Sequence, residues 1–336
     1  MKWLIGATFT LSAVLLIVLS FRQCGCISPL GKTDEPKDLP LTQYSYSSLR
    51  QKEFAGSAIQ IDKTISEGNG YLSRLFHFQV NGRKVSGLIN IPVRSGLSPV
   101  IVMIRGYVDQ KAYQTGTGTQ HGGEFLAQNG FVTLAPDFFG YGQSDMPNVG
   151  PLEERFLTYV TVLQLLASVR NLNSAFENNN LSVRADVDKI GLWGHSNGGQ
   201  IALSVLEISG KNYPTALWAP VSKPFPYSIL YYTDEVDDHG RALRKVVADF
   251  EKDYDSEQYS LTNYLGWIKA PLQLHQGTAD EAVPIGWSNL LNQSLQEQKI
   301  KVQYFTYPGE DHNFANGSWL TVMQRTTEFY RKEFNQ

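Results

Sequence analysis

Between residues 86 and 308 of this 336-residue chain, short apolar runs alternate with segments of helical period. Few architectures accept that pattern. SGLINIPV (86–93), PVIVMIRGY (99–107), FVTLAPDFFGYG (131–142), KIGLWGHS (189–196), TALWAPVS (215–222), PLQLHQGTA (271–279) and KVQYFTYP (301–308) read as strands. HGGEFLAQNG (121–130) reads as a short helix. A longer one opens at Pro151, where the missing N–H costs nothing, and NGGQIALSVLEISG ends at Gly210, a suitable C-cap. Near-continuous apolar strands must be buried on both faces, and strands joined by helices run parallel. The expectation is an α/β fold with a mostly parallel central sheet covered by helices on both faces. Residues 55–90 alternate more strictly and are expected to add antiparallel strands at one edge. A content of 42% hydrophobic residues suffices for such a core.

The amino end follows another rule. Trp3 to Phe21 is almost uninterruptedly apolar, between Lys2 and Arg22. At about 1.5 Å per residue, such a helix just spans a bilayer core of roughly 30 Å. Phe21-Arg22-Gln23-Cys24 is a poor cleavage site, because large and charged residues stand where small ones are needed. Residues 1–26 are therefore read as an uncleaved transmembrane anchor with its amino end inside, the alternative being a cleaved signal peptide. Either implies an exported protein, anchored or secreted. Both cysteines, Cys24 and Cys26, lie in this segment. That excludes a disulfide framework and a cysteine nucleophile from the rest of the chain. A lipid on one of them is the weaker alternative to two incidental thiols. Residues 27–54, rich in proline and charge at their start, read as a linker. The main domain is then 55–336.

Within that domain the alternation stops between 223 and 270. The segment is aromatic, charged and helical in its middle, and falls between two core strands. An insertion there overlies the carboxyl ends of the strands, where open α/β sheets bind ligands, so it is read as a lid. Phe225, Tyr227, Tyr231 and Tyr232 form an apolar wall that either packs the lid onto the body or meets substrate. Asp234, Glu235, Asp237 and Asp238 read first as a solvated face, with recognition of a substrate amine as the alternative.

The segment GHSNGG (194–199) lies where a strand ends and a helix begins. In a nucleophile elbow that turn is so tight that serine takes a strained conformation, and side chains two places either side would collide with neighbours. Gly194 and Gly198 relieve both clashes. The Ser196 hydroxyl is then pushed out at the top of the sheet. The N–H of Asn197, in the first turn of a helix, faces the same space and suits an oxyanion.

A serine hydroxyl needs a base, and the chain has six histidines. His195 points the wrong way round the elbow, His275 sits inside a strand, and His77, His121 and His239 lack supporting context. His312, in YPGEDHNF (307–314), follows the last strand on a loop. The histidine needs a carboxylate to hold its tautomer. Asp280, in HQGTADEAVP (275–284), lies at the end of the preceding strand and is preferred to Glu281 and Asp311. The order Ser196, Asp280, His312 is that of an α/β-hydrolase.

GHSNGG, HQGTADEAVP and PGEDHNF together resemble the catalytic domain of the prolyl oligopeptidase family, over about residues 80–336. The resemblance implies Ser196 as nucleophile, Asp280 as orienting acid and His312 as general base. Two departures stand out. Peptidases of that family usually carry a propeller domain before the hydrolase domain, and this chain has only a linker and a few strands there. The family's loop after the early strand often has tyrosine or histidine before two glycines, whereas this chain reads Arg105-Gly106-Tyr107. The oxyanion-assisting tyrosine hydroxyl thus has no counterpart at Arg105, and a backbone N–H near Tyr107 is expected instead. Arg105, Tyr231 and Tyr232 are the expected substrate contacts.

The expected function is a serine peptidase or hydrolase of small acyl or peptide substrates, acting through an acyl-enzyme. A carboxylesterase, a thioesterase or an acyltransferase would carry the same triad. A non-catalytic binding protein would be expected to lack one of its members. No metal or organic cofactor is implied. With a net charge of −3 and no basic face, no nucleic-acid partner is implied either. The membrane enters only through the amino-terminal run, and the oligomeric state is not encoded in any feature above.

Overall fold

The computed structural model describes residues 37–233 and 237–335. The expected anchor over 1–26, Cys24 and Cys26, and Asp234 and Glu235 lie outside the described residues. Among the described residues no helix is long and apolar enough to cross a membrane.

The compact unit that begins at Leu39 holds nine strands: β1 (Gln60–Gly68), β2 (Tyr71–Val80), β3 (Arg83–Pro92), β4 (Gly96–Ile104), β5 (Val132–Pro136), β6 (Val183–His195), β7 (Thr215–Trp218), β8 (Leu272–Gly277) and β9 (Val302–Tyr307). They form one sheet in the order β1-β2-β3-β5-β4-β6-β7-β8-β9. β1, β2 and β3 pair antiparallel, as does β3 with β5, and every later pairing is parallel. This is the α/β-hydrolase fold, with the antiparallel edge where strict alternation placed it.

The helices are α1 (Tyr46–Arg50), α2 (Gln120–Gln128), α3 (Pro151–Ser168), α4 (Leu172–Asn178), α5 (Asn197–Ser209), α6 (Tyr227–Leu230), α7 (Arg241–Phe250), α8 (Ile285–Glu297) and α9 (Trp319–Glu333). Pro151 opens α3, and Gly210, left-handed at φ 56°, closes α5. Strand side chains alternate between two cores, as the period of two requires. In β4, Val100, Val102 and Ile104 join the core under α1, α3, α4, α5 and α8. Ile101 and Met103 join the other, under α2 and α9.

One segment differs from expectation, and a second takes the first of its two alternatives. The linker read over 27–54 includes α1 and a 3-10 turn at Pro40–Tyr44. Tyr44, Tyr46 and Leu49 are buried, and the Tyr46 hydroxyl lies 2.6 Å from Ser204 Oγ. The prolines end at residue 40, and the aromatic residues behind them find apolar cover on α3 and α5. In the insertion at 223–270, Phe225, Phe250 and Tyr259 pack around Phe156 of α3, with ring centroids at 5.8, 6.2 and 5.0 Å. These aromatic residues thus pack the segment onto the body along this face. Each buries far more apolar surface than a solvent-facing cover needs.

Candidate active site

Ser196 joins β6 to α5 and adopts φ 58° and ψ −123°. For a residue with a side chain this is strained, costing roughly 1–3 kcal/mol. The surroundings enforce it. The Ser196 N–H donates to Trp218 O at 2.9 Å, and Ser196 O accepts from Val221 N at 3.0 Å and Gly199 N at 2.9 Å. A Cβ at Gly194 would stand 2.6 Å from Gly198 O, and one at Gly198 only 2.0 Å from Ile104 O. Both glycines of the elbow are therefore required by backbone atoms that cannot yield. Gly199 is a third: a Cβ there would meet Pro220 Cβ at 2.6 Å. Asn197 is the first residue of α5, so its N–H has no partner within the helix.

Asp280 and His312 come from the loops after β8 and β9. His312 Nδ1 donates to Asp280 Oδ2 at 2.8 Å. The Asp280 side chain is fully buried, that of His312 17% exposed. Oδ1 of Asp280 accepts from Ala282 N at 3.0 Å and Val283 N at 2.8 Å, and Oδ2 also accepts from Gln276 Nε2 at 2.8 Å. Burial alone raises a carboxyl pKa; the His312 bond and the Val283 and Gln276 donors outweigh it, so Asp280 lies below its ordinary value. Glu281 takes no part in this network. Asp311 instead closes its own turn, accepting from Asn313 N and Ala315 N, both at 2.9 Å.

The other histidines have separate explanations. The buried His275 ring is bonded to Tyr307 Oη and Gln273 Oε1, and burial pushes its pKa down to about 3. His195, set aside as the base, is not idle. Its Nε2 lies 3.0 Å from His312 O, and the two rings are 4.6 Å apart. Burial, and then the neighbouring His312, press its pKa down to about 4, so it supports the His312 loop as a neutral ring.

Gln276 lies within the HQGTADEAVP segment, but sequence reasoning gave it no role. It donates to Asp280, Gly277 O and Val283 O, and accepts from Ser288 Oγ at 2.7 Å. In the chain it is one of three polar residues in β8, beside Gln273 and His275, with nothing to single it out. Glu310 is a second residue given no role. Its carboxylate takes the N–H groups of Asn316 and Ser318 at 2.9 and 2.8 Å, fixing the loop that carries His312.

Arg105 follows β4, is 6% exposed, and lines a cavity of about 210 Å³ together with Tyr107, Tyr141, Glu154 and Asn197. Tyr107 is 76% exposed. Tyr231 and Tyr232 lie elsewhere, packed on Trp287 with ring centroids at 4.7 and 6.4 Å. The Tyr232 hydroxyl donates to Ala282 O at 3.1 Å, which ties it to the Asp280 loop. Asp238 caps α7 by accepting from Gly240 N and Ala242 N, both at 2.8 Å. Among the described residues no group of three His, Cys, Asp or Glu side chains is arranged to hold a metal ion.

The fold and this site define a serine hydrolase on the α/β-hydrolase scaffold. Residues 170–336, which include all three motif segments, match the prolyl oligopeptidase family model, and residues 76–217 match the chlorophyllase model. The chain thus resembles the catalytic domain of the prolyl oligopeptidase family. A relative from Bacillus subtilis (strain 168), the uncharacterized peptidase YtmA, is 24% identical over 258 residues, 75% of this chain and 90% of the relative. A puromycin-hydrolyzing peptidase of Mycobacterium tuberculosis superposes with a TM-score of 0.57 at 17% identity, over 79% of this chain and 40% of that one. Acetyl xylan esterase 1 of a Thermoanaerobacterium species gives the same TM-score and identity over 86% of this chain and 93% of that one. At such identities the two structures share the fold alone. This chain spans well under half of the peptidase and nearly all of the esterase.

Proposed function

We propose that the protein cleaves amide or ester bonds of small peptide or acyl substrates through an acyl-enzyme on Ser196. The observation that carries this reading is the strained serine at the elbow, combined with a histidine bonded at 2.8 Å to a buried carboxylate. His312 takes the Ser196 proton as the hydroxyl attacks the acyl carbon. Asp280 holds the Nδ1–H tautomer and stabilises the imidazolium that forms. The tetrahedral oxyanion is held by the N–H of Asn197 and that of Tyr107. His312 returns the proton to the leaving amine or alcohol, and water repeats the cycle on the acyl-enzyme.

Peptide bonds are the first reading, supported by the family match over residues 170–336 and the Bacillus peptidase relative. Tyr227 and Tyr231, 47% and 39% exposed, stand with Trp287 beside Val221 and Val283. Val221 N binds Ser196 O and Val283 N binds Asp280, so this apolar wall borders both and suits an apolar group of the substrate. Ester hydrolysis is the second reading. It is favoured by the loop at Arg105, which offers only backbone N–H donors where the peptidases supply a tyrosine hydroxyl. An ester has the better leaving group and tolerates a weaker oxyanion hole.

The test compares initial rates of the full chain on short acyl nitrophenyl esters and on aminoacyl and prolyl nitroanilides, with Ser196→Ala beside each. Anilide turnover lost in Ser196→Ala supports the first reading, and ester turnover alone the second. Undiminished turnover by Ser196→Ala would sink both.

A further inference from the structure

Arg105 is a buried cation that spends its hydrogen bonds on backbone. Nη1 donates to the carbonyl of its own neighbour, Gly106, at 2.9 Å, and Nη2 donates to Asp137 O at 3.1 Å. The guanidinium rests against a pair of rings: Tyr141 with its centroid 4.2 Å from Cζ, and Tyr113 at 4.5 Å, the two rings edge-to-face with centroids 5.1 Å apart. Asp137 anchors this arrangement. It is fully buried, and its carboxylate accepts from Ser86 Oγ at 2.6 Å, Tyr113 Oη at 2.6 Å and Thr115 Oγ1 at 2.8 Å. So much fixed structure around one loop residue needs a reason.

The neighbouring peptide supplies it. A peptide unit is planar and trans, so the Gly106 carbonyl and the Tyr107 N–H point in opposite directions. Holding the carbonyl toward Arg105 aims the N–H away from it. Gly106 itself lies against the elbow: a Cβ there would stand 3.0 Å from Ser196 Cβ and 3.6 Å from Ser196 Oγ. The Val108 carbonyl, two residues on, is held too, for the Tyr141 hydroxyl donates to it at 3.2 Å. Tyr107 therefore sits between two clamped carbonyls, although its own side chain is largely in solvent.

We propose that Arg105 is a positioning residue that locks the Gly106–Tyr107 peptide with its N–H toward Ser196, making the second oxyanion donor. This rests on the acyl-hydrolase reading above. Arginine rather than lysine suits the task, because only a planar fork can rest against this ring pair and reach two carbonyls at once. The Nη1 bond also polarises the peptide, which strengthens its N–H as a donor. A preset donor costs no reorganisation when charge develops on the substrate oxygen.

The test uses the full chain carrying Arg105→Gln, Arg105→Lys or Tyr141→Leu, with Ser196→Ala as reference. kcat, KM and inhibition by a trifluoromethyl ketone, whose hemiketal carries the oxyanion, are measured on whichever chromogenic substrate the parent turns over. Loss of one oxyanion donor lowers kcat by roughly a hundredfold or more, with KM within about threefold, because the donor acts mainly in the transition state. The inhibitor constant of the ketone should rise by the same factor as kcat/KM falls. Lysine should not rescue. Tyr141→Leu removes one ring face and the tie to Val108, and should show a smaller loss along the same line, which keeps the test open if the Arg105 variants fail to fold. An Arg105→Gln enzyme with parental kcat, or with raised KM at unchanged kcat, overturns the lock; the second pattern would make Arg105 a ground-state substrate contact. Turnover surviving in Ser196→Ala would instead overturn the hydrolase reading on which the lock depends.

Discussion

Asp280→Asn replaces one atom and should remove most of the activity. Asp280 accepts four hydrogen bonds: from Ala282 N and Val283 N at Oδ1, and from Gln276 Nε2 and His312 Nδ1 at Oδ2. In the asparagine variant the carboxamide oxygen satisfies only one side. If it keeps the two backbone donors, the new NH₂ faces both Gln276 Nε2 and His312 Nδ1. His312 must then present Nδ1 as an acceptor, which puts its proton on Nε2, the nitrogen that has to receive the Ser196 proton. If the amide flips instead, NH₂ meets the N–H groups of Ala282 and Val283 and the loop is disrupted. The wrong tautomer costs about 10⁴ in kcat, or about 5 kcal/mol of transition-state stabilisation. KM should change little. The pH dependence of stability gives a second readout. Asp280 titrates below its ordinary value of 3.8 in the fold. Its charged form therefore adds stability above the unfolded pKa, and that stability is lost as pH falls through the lower folded value. The melting temperature of Asp280→Asn should thus fall below that of the parent at pH 7, with the gap closing in acid. A folded Asp280→Asn enzyme within tenfold of the parental kcat would refute the assignment of Asp280 as the orienting acid.

Two further outcomes concern stability. Gly198→Ala should give little soluble protein or a strongly lowered melting temperature, because its Cβ would stand 2.0 Å from Ile104 O and 2.5 Å from Arg105 O, both backbone atoms; an unchanged melt would contradict the elbow geometry. Glu207 is fully buried in α5, and neither carboxyl oxygen has a hydrogen-bond partner among the described residues. Burial raises its pKa well above 4.5, so it folds protonated, and stability falls as pH rises above the unfolded value. Glu207→Leu should stabilise the protein by roughly 1 kcal/mol or more at pH 7 and flatten that slope; denaturant titrations at pH 4 and pH 8 read both effects.

Much of this protein is legible in the chain because the signals are local. Strand and helix periods determine which segments enter the sheet, and proline and glycine mark where α3 opens and α5 closes. Gly194 and Gly198 are explained by a turn whose clashes involve backbone atoms, present whatever the sequence elsewhere. Ser196, Asp280 and His312 each sit just beyond a strand, and the sheet brings those strand ends to one edge. What could not be read is mostly non-local. Gln276 is an exception, only four residues from Asp280, but its role appears only once the loop after β8 folds back on the strand. The aromatic residues at 44–49 belong to the core only because α3 and α5 leave room for them. Arg105 shows the difference most clearly. In the chain it is a polar residue after a strand, read as a substrate contact. In the fold, Tyr113 from its own loop and Asp137 and Tyr141 from the loop after β5 converge on it and leave its guanidinium bonded to the backbone. A side chain's partners depend on which distant segments reach it, and only tertiary structure decides that.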